Sequence, residues 1–238
     1  MKSNFTIVFL LLPLFITAQN FQLHYDFGKP ENAKARDYFV STFEFFRPDT
    51  LGYTFLFVDF EYNAKSPSKG VSSGYFEISR KFYMPWFRHS KAFRQLGFHI
   101  EYDGGSAITT NDTVTYGFNL AKSWLTGFGY PVRIGKFTLN SMFLYKYSPD
   151  ASSPDFQITF AWCQMLFRNR VTLSGFFDFW TADNKSKGKK IIVYGEPQIW
   201  YNTRQKLSIG SEFKISKNFF PGSKRVEVFP TIGVKYTF

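Results

Sequence analysis

The thirteen residues that end the chain, VEVFPTIGVKYTF, constrain its fold more than any other stretch. Val226, Val228, Pro230, Ile232, Val234, Tyr236 and Phe238 share one face of an extended strand, and Glu227, Phe229, Thr231, Gly233, Lys235 and Thr237 share the other. This alternation is longer and more regular than an average soluble strand carries. It stops on an aromatic residue with a tyrosine two positions before it. A strand of this kind needs lipid or a second sheet on its apolar side and a polar interior on its other side.

The rest of the chain selects lipid. One residue in five is aromatic, with 32 Phe and 14 Tyr, yet the mean hydropathy is slightly negative. A soluble fold would leave much of that aromatic surface as sticky patches. Strands that turn rings outward into a bilayer and polar groups inward satisfy both figures. No stretch supplies the roughly 18–20 unbroken apolar residues of a membrane helix. At the start of the chain, Lys2 precedes an apolar run over residues 8–16, and Thr17-Ala18-Gln19 offers a cleavage point. Residues 1–18 therefore read as a secretory signal peptide, and 19–238 as one outer-membrane β-barrel. Cys163 is the only cysteine, which rules out an internal disulfide, and it reads as a small packed residue. The formal charge of +11 is scattered over the gaps between strands, so a nucleic-acid polymer is not the expected partner. The densest basic group, Lys185, Lys187, Lys189 and Lys190, reads as an external loop facing lipopolysaccharide phosphates.

Twelve strand candidates follow in order, near residues 21–27, 37–46, 53–62, 71–82, 93–102, 113–126, 136–147, 156–166, 171–180, 191–201, 206–215 and 226–238. Most connections alternate between long polar loops and short turns, among the latter Arg47–Thr50, Gly127–Pro131 and Phe167–Arg170. An even count places both ends on the periplasmic side, with the long loops outside. The link Tyr83–Ala92 is too long for a periplasmic turn and, with Trp86 and Arg88, reads as lying against the membrane interface. Tyr62, Tyr102, Tyr147, Trp180, Tyr201 and Tyr236 are expected in the aromatic girdles. Tyr236 and Phe238 are the expected barrel-closing signal read by the barrel-assembly machinery.

The same alternation assigns the lumen, which in a barrel of this size is narrow. It turns inward Asp26 from the first strand and Glu44 from the second. Phe55, Phe57, Asp59 and Glu61 follow from the third, Tyr75 and Glu77 from the fourth, and Glu101 from the fifth. Later strands add Asp178, then Tyr194, Glu196 and Trp200, then Glu212, then Glu227 and Phe229. Lys146, Lys214, Lys235 and Arg80 are the expected basic partners. Carboxylates can hold hydroxyl groups, and flat rings can stack on a base or sugar. An inward Glu/Lys network can equally well plug a barrel.

The segments FQLHYDFG, TFLFVDFEYN, SGFFDFW, EPQIWYN and IGSEF, with the ending PTIGVKYTF, resemble a family of uncharacterised outer-membrane proteins grouped with the nucleoside-specific, Tsx-like channels. The resemblance implies a twelve-stranded monomeric barrel and passive passage of nucleosides or similar small-molecule solutes. It carries over no binding residue. The expected function is thus a channel for small polar solutes, with no enzyme activity, cofactor or metal. Two alternatives stay open: a plugged structural or surface-binding barrel, and a membrane-embedded lipid hydrolase. The hydrolase would need a serine beside His24 or His99, and no motif places one there.

Overall fold

A computed structural model describes residues 19–28, 38–63, 69–111, 114–120, 122–184, 188–204, 206–220 and 224–238. The expected signal peptide, and Lys185 and Lys187 of the basic loop, lie outside these residues. The described chain folds into strands β1 (Gln19–Asp26), β2 (Tyr38–Asp49), β3 (Gly52–Asn63), β4 (Gly70–Tyr83), β5 (Gly97–Asn111), β6 (Val114–Asn119) and β7 (Ser123–Ile134). The second half holds β8 (Phe137–Tyr147), β9 (Asp155–Leu166), β10 (Val171–Asp183), β11 (Lys189–Gly195), β12 (Gln198–Asn202), β13 (Leu207–Lys217) and β14 (Val226–Thr237).

All pairings are antiparallel, and the sheet closes on itself where β1 pairs β14 and β9 pairs β10. Closure is completed at the chain end, where the Phe238 N–H donates to the Gln19 carbonyl. Two of the fourteen strands add no wall of their own. Among the described residues β6 pairs only with the last part of β5, Ser106 to Asn111. β11 and β12 are halves of one wall strand, paired to β10 and β13 in one continuous register. Pro197 lies between them and has no N–H to give the ladder. The result is a closed barrel of twelve wall strands.

Side chains divide as the alternation requires. Leu23, Phe60, Ile100, Phe143, Ile209 and Val234 stand exposed on the outer face, while Gln22, His24, Ser79, Glu212 and Lys214 on the inner face are buried. Among the described residues there is no apolar core in the usual sense. The buried apolar cluster is Leu125, Met142 and Leu144, and it sits inside the lumen. An outer surface this apolar is stable only in lipid, and closure leaves no open sheet edge there.

Short turns close one rim. Asp49 and Gly52 flank a two-residue turn, and Gly135 with Lys136 makes another. Gly52 is required at its place, since a Cβ there would lie 1.8 Å from the Lys81 carbonyl oxygen. The link between β4 and β5 runs along the same rim. It holds the short 3-10 turn Pro85–Phe87, and the Tyr130 hydroxyl donates to its Ala92 carbonyl from the outer face of β7. Trp86 there is 73 % exposed.

Several expectations need correction. The sixth strand does not end at Thr126 in a turn at Gly127–Pro131. Instead β7 continues through these residues to Ile134. Gly127 lies in the ladder opposite Leu144, and the position takes glycine because a Cβ there would come within 2.1 Å of the Phe143 carbonyl oxygen. β5 likewise runs on past Tyr102 to Asn111, through residues expected in a loop. Trp180 points inward and is not a girdle residue, since it pairs with inward Gln157 and lies under the Lys146 ammonium. Arg80 points outward to Asp49 at the rim, with contacts of 2.7 and 2.9 Å, so the inward lysine of β4 is its neighbour Lys81. Cys163 is exposed, not packed. Its register partner Ser174 bonds Gln198, which puts both on the inner face.

Candidate functional site: the barrel lumen

Each inward side chain is placed by strand parity and then held by a neighbour. On β1, Asp26 accepts from the Gly28 N–H at 2.8 Å. Asp59 on β3 accepts from the Thr42 hydroxyl at 2.6 Å, and Glu61 accepts from Ser73 at 3.0 Å. Phe55, Phe57 and Tyr75 form a run of rings with centroids 6.0 and 5.8 Å apart. The Tyr75 hydroxyl donates to Glu77 at 2.7 Å, and His99 Nε2 meets Glu101 at 2.9 Å. Across the lumen, Asp178 accepts from Thr159. Glu196 accepts from the Tyr194 hydroxyl at 2.6 Å, and Glu212 from the Gln198 amide at 2.7 Å. Phe229 is buried on β14 and packs on Phe220 with centroids 5.5 Å apart.

The middle of the lumen is dominated by carboxylates. Asp59, Glu77, Glu101, Asp103, Asp178, Glu196 and Glu212 share it with Lys146 and Lys214. Lys214 lies 3.8 Å from Glu196 and 4.0 Å from Glu212. Lys146 lies 3.8 Å from Asp103 and also donates to Gln157. Carboxylates thus outnumber the ammonium groups around them. An uncompensated carboxylate in a confined space is costly unless water, a proton or a cation attends it.

Towards the rim of short turns the chemistry changes. Trp200 is fully buried and reaches His24, with centroids 5.4 Å apart and the rings edge to face. Glycines make this possible. A Cβ at Gly210 would meet the Trp200 ring at 2.6 Å, and one at Gly233 would meet the His24 ring at 2.8 Å. Lys235 caps the indole at 4.3 Å. Lys81 is buried between the rings of Tyr53 and Tyr83, at 5.8 and 5.9 Å, and a Cβ at Gly97 would strike its stem. Among the described residues, neither lysine has a carboxylate within salt-bridge distance.

Apart from Arg80, the residues expected in the lumen have inward-facing side chains, but they do not gather at one point. Phe55, Phe57 and Tyr75 cluster on β3 and β4, Glu196 and Glu212 around Lys214, and Glu77 and Glu101 around Asp103. Asp103, Asp155, Lys81, Leu125 and Leu144 also face inward and are absent from the lining that the sequence predicts. Asp103 and Lys81 keep the parity of Glu101 and Ser79, which is the signal that could have found them. Tyr236 and Phe238 pack edge to face at 5.3 Å on the closing strand. His24 bonds Thr231 and Gln22, and His99 bonds Glu101, so among the described residues neither ring meets a serine hydroxyl.

Residues 18–238 match the family described as a domain of unknown function (DUF5020). The chain belongs to that family. No curated protein matches it. Among solved structures, it is similar to a KdgM porin in complex with disordered oligogalacturonate, at 9% identity and a TM-score of 0.45, covering 93% of this chain and 99% of that one. The Acinetobacter baumannii outer membrane protein Omp33 is similar at 10% identity and a TM-score of 0.41, covering 93% and 98%. At these values neither carries an argument about activity. The closed barrel, with its lipid-facing outside and polar inside, makes this DUF5020 chain a Gram-negative outer-membrane protein on its own geometry.

Proposed function

We propose that the protein is an outer-membrane channel for small polar solutes, with a narrow acidic lumen that favours neutral and cationic solutes over anions. The observation that carries this reading is the excess of carboxylates over lysines in mid-lumen. A dry plug would be expected to balance its charges, because each unpaired buried charge works against it. A wet passage tolerates the imbalance and uses it to raise the local concentration of cations. Within this reading, nucleosides are the finer candidate, and the Phe55, Phe57 and Tyr75 rings are the surface on which a base would stack. Liposome swelling with the refolded barrel tests it. Small neutral solutes are expected to enter faster than anionic ones of equal size, with adenosine slowing them. Absence of swelling for every solute, from a barrel whose folding is confirmed by heat-modifiable gel mobility, would contradict the channel.

One observation favours the plugged alternative. Leu125, Leu144 and Trp200 are completely buried inside the barrel, so side chains fill part of its bore. A silent but folded barrel would select that reading.

A further inference from the structure

We propose that Glu77, Glu101 and Asp103 hold a divalent cation, with Ca²⁺ as the ion that fits. Glu77 and Asp103 face each other across β4 and β5, and Glu101 lies two residues away on the same inner face. One carboxylate oxygen from each lies within 4.8 Å of the other two.

Three carboxylates alone would not make a site. Asp103 supplies the second observation. It is 3 % exposed, and its Oδ1 is buried with no hydrogen-bond partner. Such an atom costs free energy unless something unseen satisfies it. Each carboxylate also has its other oxygen engaged from outside the group. Tyr75 donates to Glu77 Oε1 at 2.7 Å, His99 Nε2 meets Glu101 Oε2 at 2.9 Å, and Lys146 stands 3.8 Å from Asp103 Oδ2. This leaves one oxygen of each carboxylate for a shared ligand, with Asp103 Oδ1 the one that has no other partner. Buttressing of each ligand through its second atom is the usual outer layer of a metal site. Lys146 cannot neutralise the group alone, since it brings one positive charge to three carboxylates and stands 3.8 Å from only one of them.

The donor set is all oxygen and anionic, which selects a hard cation. Ca²⁺ takes oxygens at about 2.3–2.6 Å, so it bridges oxygens nearly 5 Å apart, whereas Mg²⁺ at about 2.0–2.1 Å requires a tighter cage. Water would complete the shell. The site stands whether or not the lumen conducts, because it needs access for one ion only.

Terbium luminescence tests it on the refolded full barrel, excited through tyrosine and tryptophan. Tb³⁺ should bind and be displaced by Ca²⁺ well before Mg²⁺. Asp103→Asn and Glu101→Gln should each weaken binding by roughly tenfold or more, while Asp49→Asn at the rim should not. Should either variant fail to fold, Glu77→Gln gives the same reading. Ca²⁺ should also raise the temperature at which the wild-type barrel unfolds on heat-modification gels, which needs no variant. The proposal is overturned by a wild-type barrel without a Ca²⁺-displaceable Tb³⁺ signal, by variants that bind within twofold of wild type, or by an unfolding temperature unmoved by Ca²⁺.

Discussion

The middle of the lumen and its end at the short turns treat buried lysines in opposite ways. In the middle, Lys214 is set against Glu196 and Glu212, and charge answers charge. At the end bearing the short turns, Lys81 and Lys235 are set against tyrosine and tryptophan rings, and glycines make the space. The first arrangement is strong only while all its members are present. The second depends on shape, because ring faces attract an ammonium without needing its charge to be neutralised. One barrel interior therefore contains a polar network that fails when one charge is removed and a packed region that fails when one atom is added.

Substitutions can break this contrast. Lys214→Met should have the largest effect, about 3–5 kcal/mol of destabilisation, because it strands Glu196 and Glu212. Urea unfolding of the barrel in liposomes would measure it. Gly210→Val should cost about 1–3 kcal/mol by overpacking, since its new atoms meet the Ile199 carbonyl and the Trp200 ring. Quenching of Trp200 fluorescence by acrylamide should rise in the same variant. Lys81→Met should change stability by no more than about 1 kcal/mol, because it removes a buried charge and strands no carboxylate. If Lys81→Met proved as damaging as Lys214→Met, the distinction between the two regions would collapse.

The smallest effect lies at the rim. The Arg80 guanidinium beside Asp49 holds its carboxyl down from the ordinary 3.8 to about 2. A carboxyl lowered by folding adds stability above its unfolded value and loses it as pH falls through the folded one. Asp49→Asn should therefore flatten the stability profile slightly between about pH 4 and pH 2 and leave the shape of the profile unchanged near neutrality. Unfolding midpoints measured across that range would check it.

Strand parity makes most of the inner face legible in the sequence. In β1, β3 and β14 the apolar and polar positions alternate with little interruption, so Asp26, Asp59 and Phe229 can be assigned to the lumen. Glycine causes the main errors. Gly104 and Gly105 read as a loop and Gly127 as a turn, but all three lie in strands. A Cβ at Gly105 would strike the Gly74 carbonyl oxygen, and one at Gly104 would meet the Phe76 ring. A glycine in a strand can mark close approach as well as a bend, and local sequence does not distinguish them. Read as a loop, the glycines hide Asp103. Parity also holds at Arg80 and Lys81: with Ser79 inward, Lys81 follows it inward and Arg80 faces out, so placing Arg80 among the basic partners of the lumen departs from the alternation. The contact between Trp200 and His24 needs β12, β13, β14 and β1 side by side, which only closure of the barrel provides.

The central claim is that the lumen is wet and favours cations. The most direct measurement is the zero-current potential of the refolded protein in a planar bilayer under a KCl gradient. The account predicts a small conductance with a potential of the sign set by K⁺, reduced when Asp178→Asn and Glu212→Gln are combined. Chloride selectivity, or a folded barrel that passes no current, would contradict it.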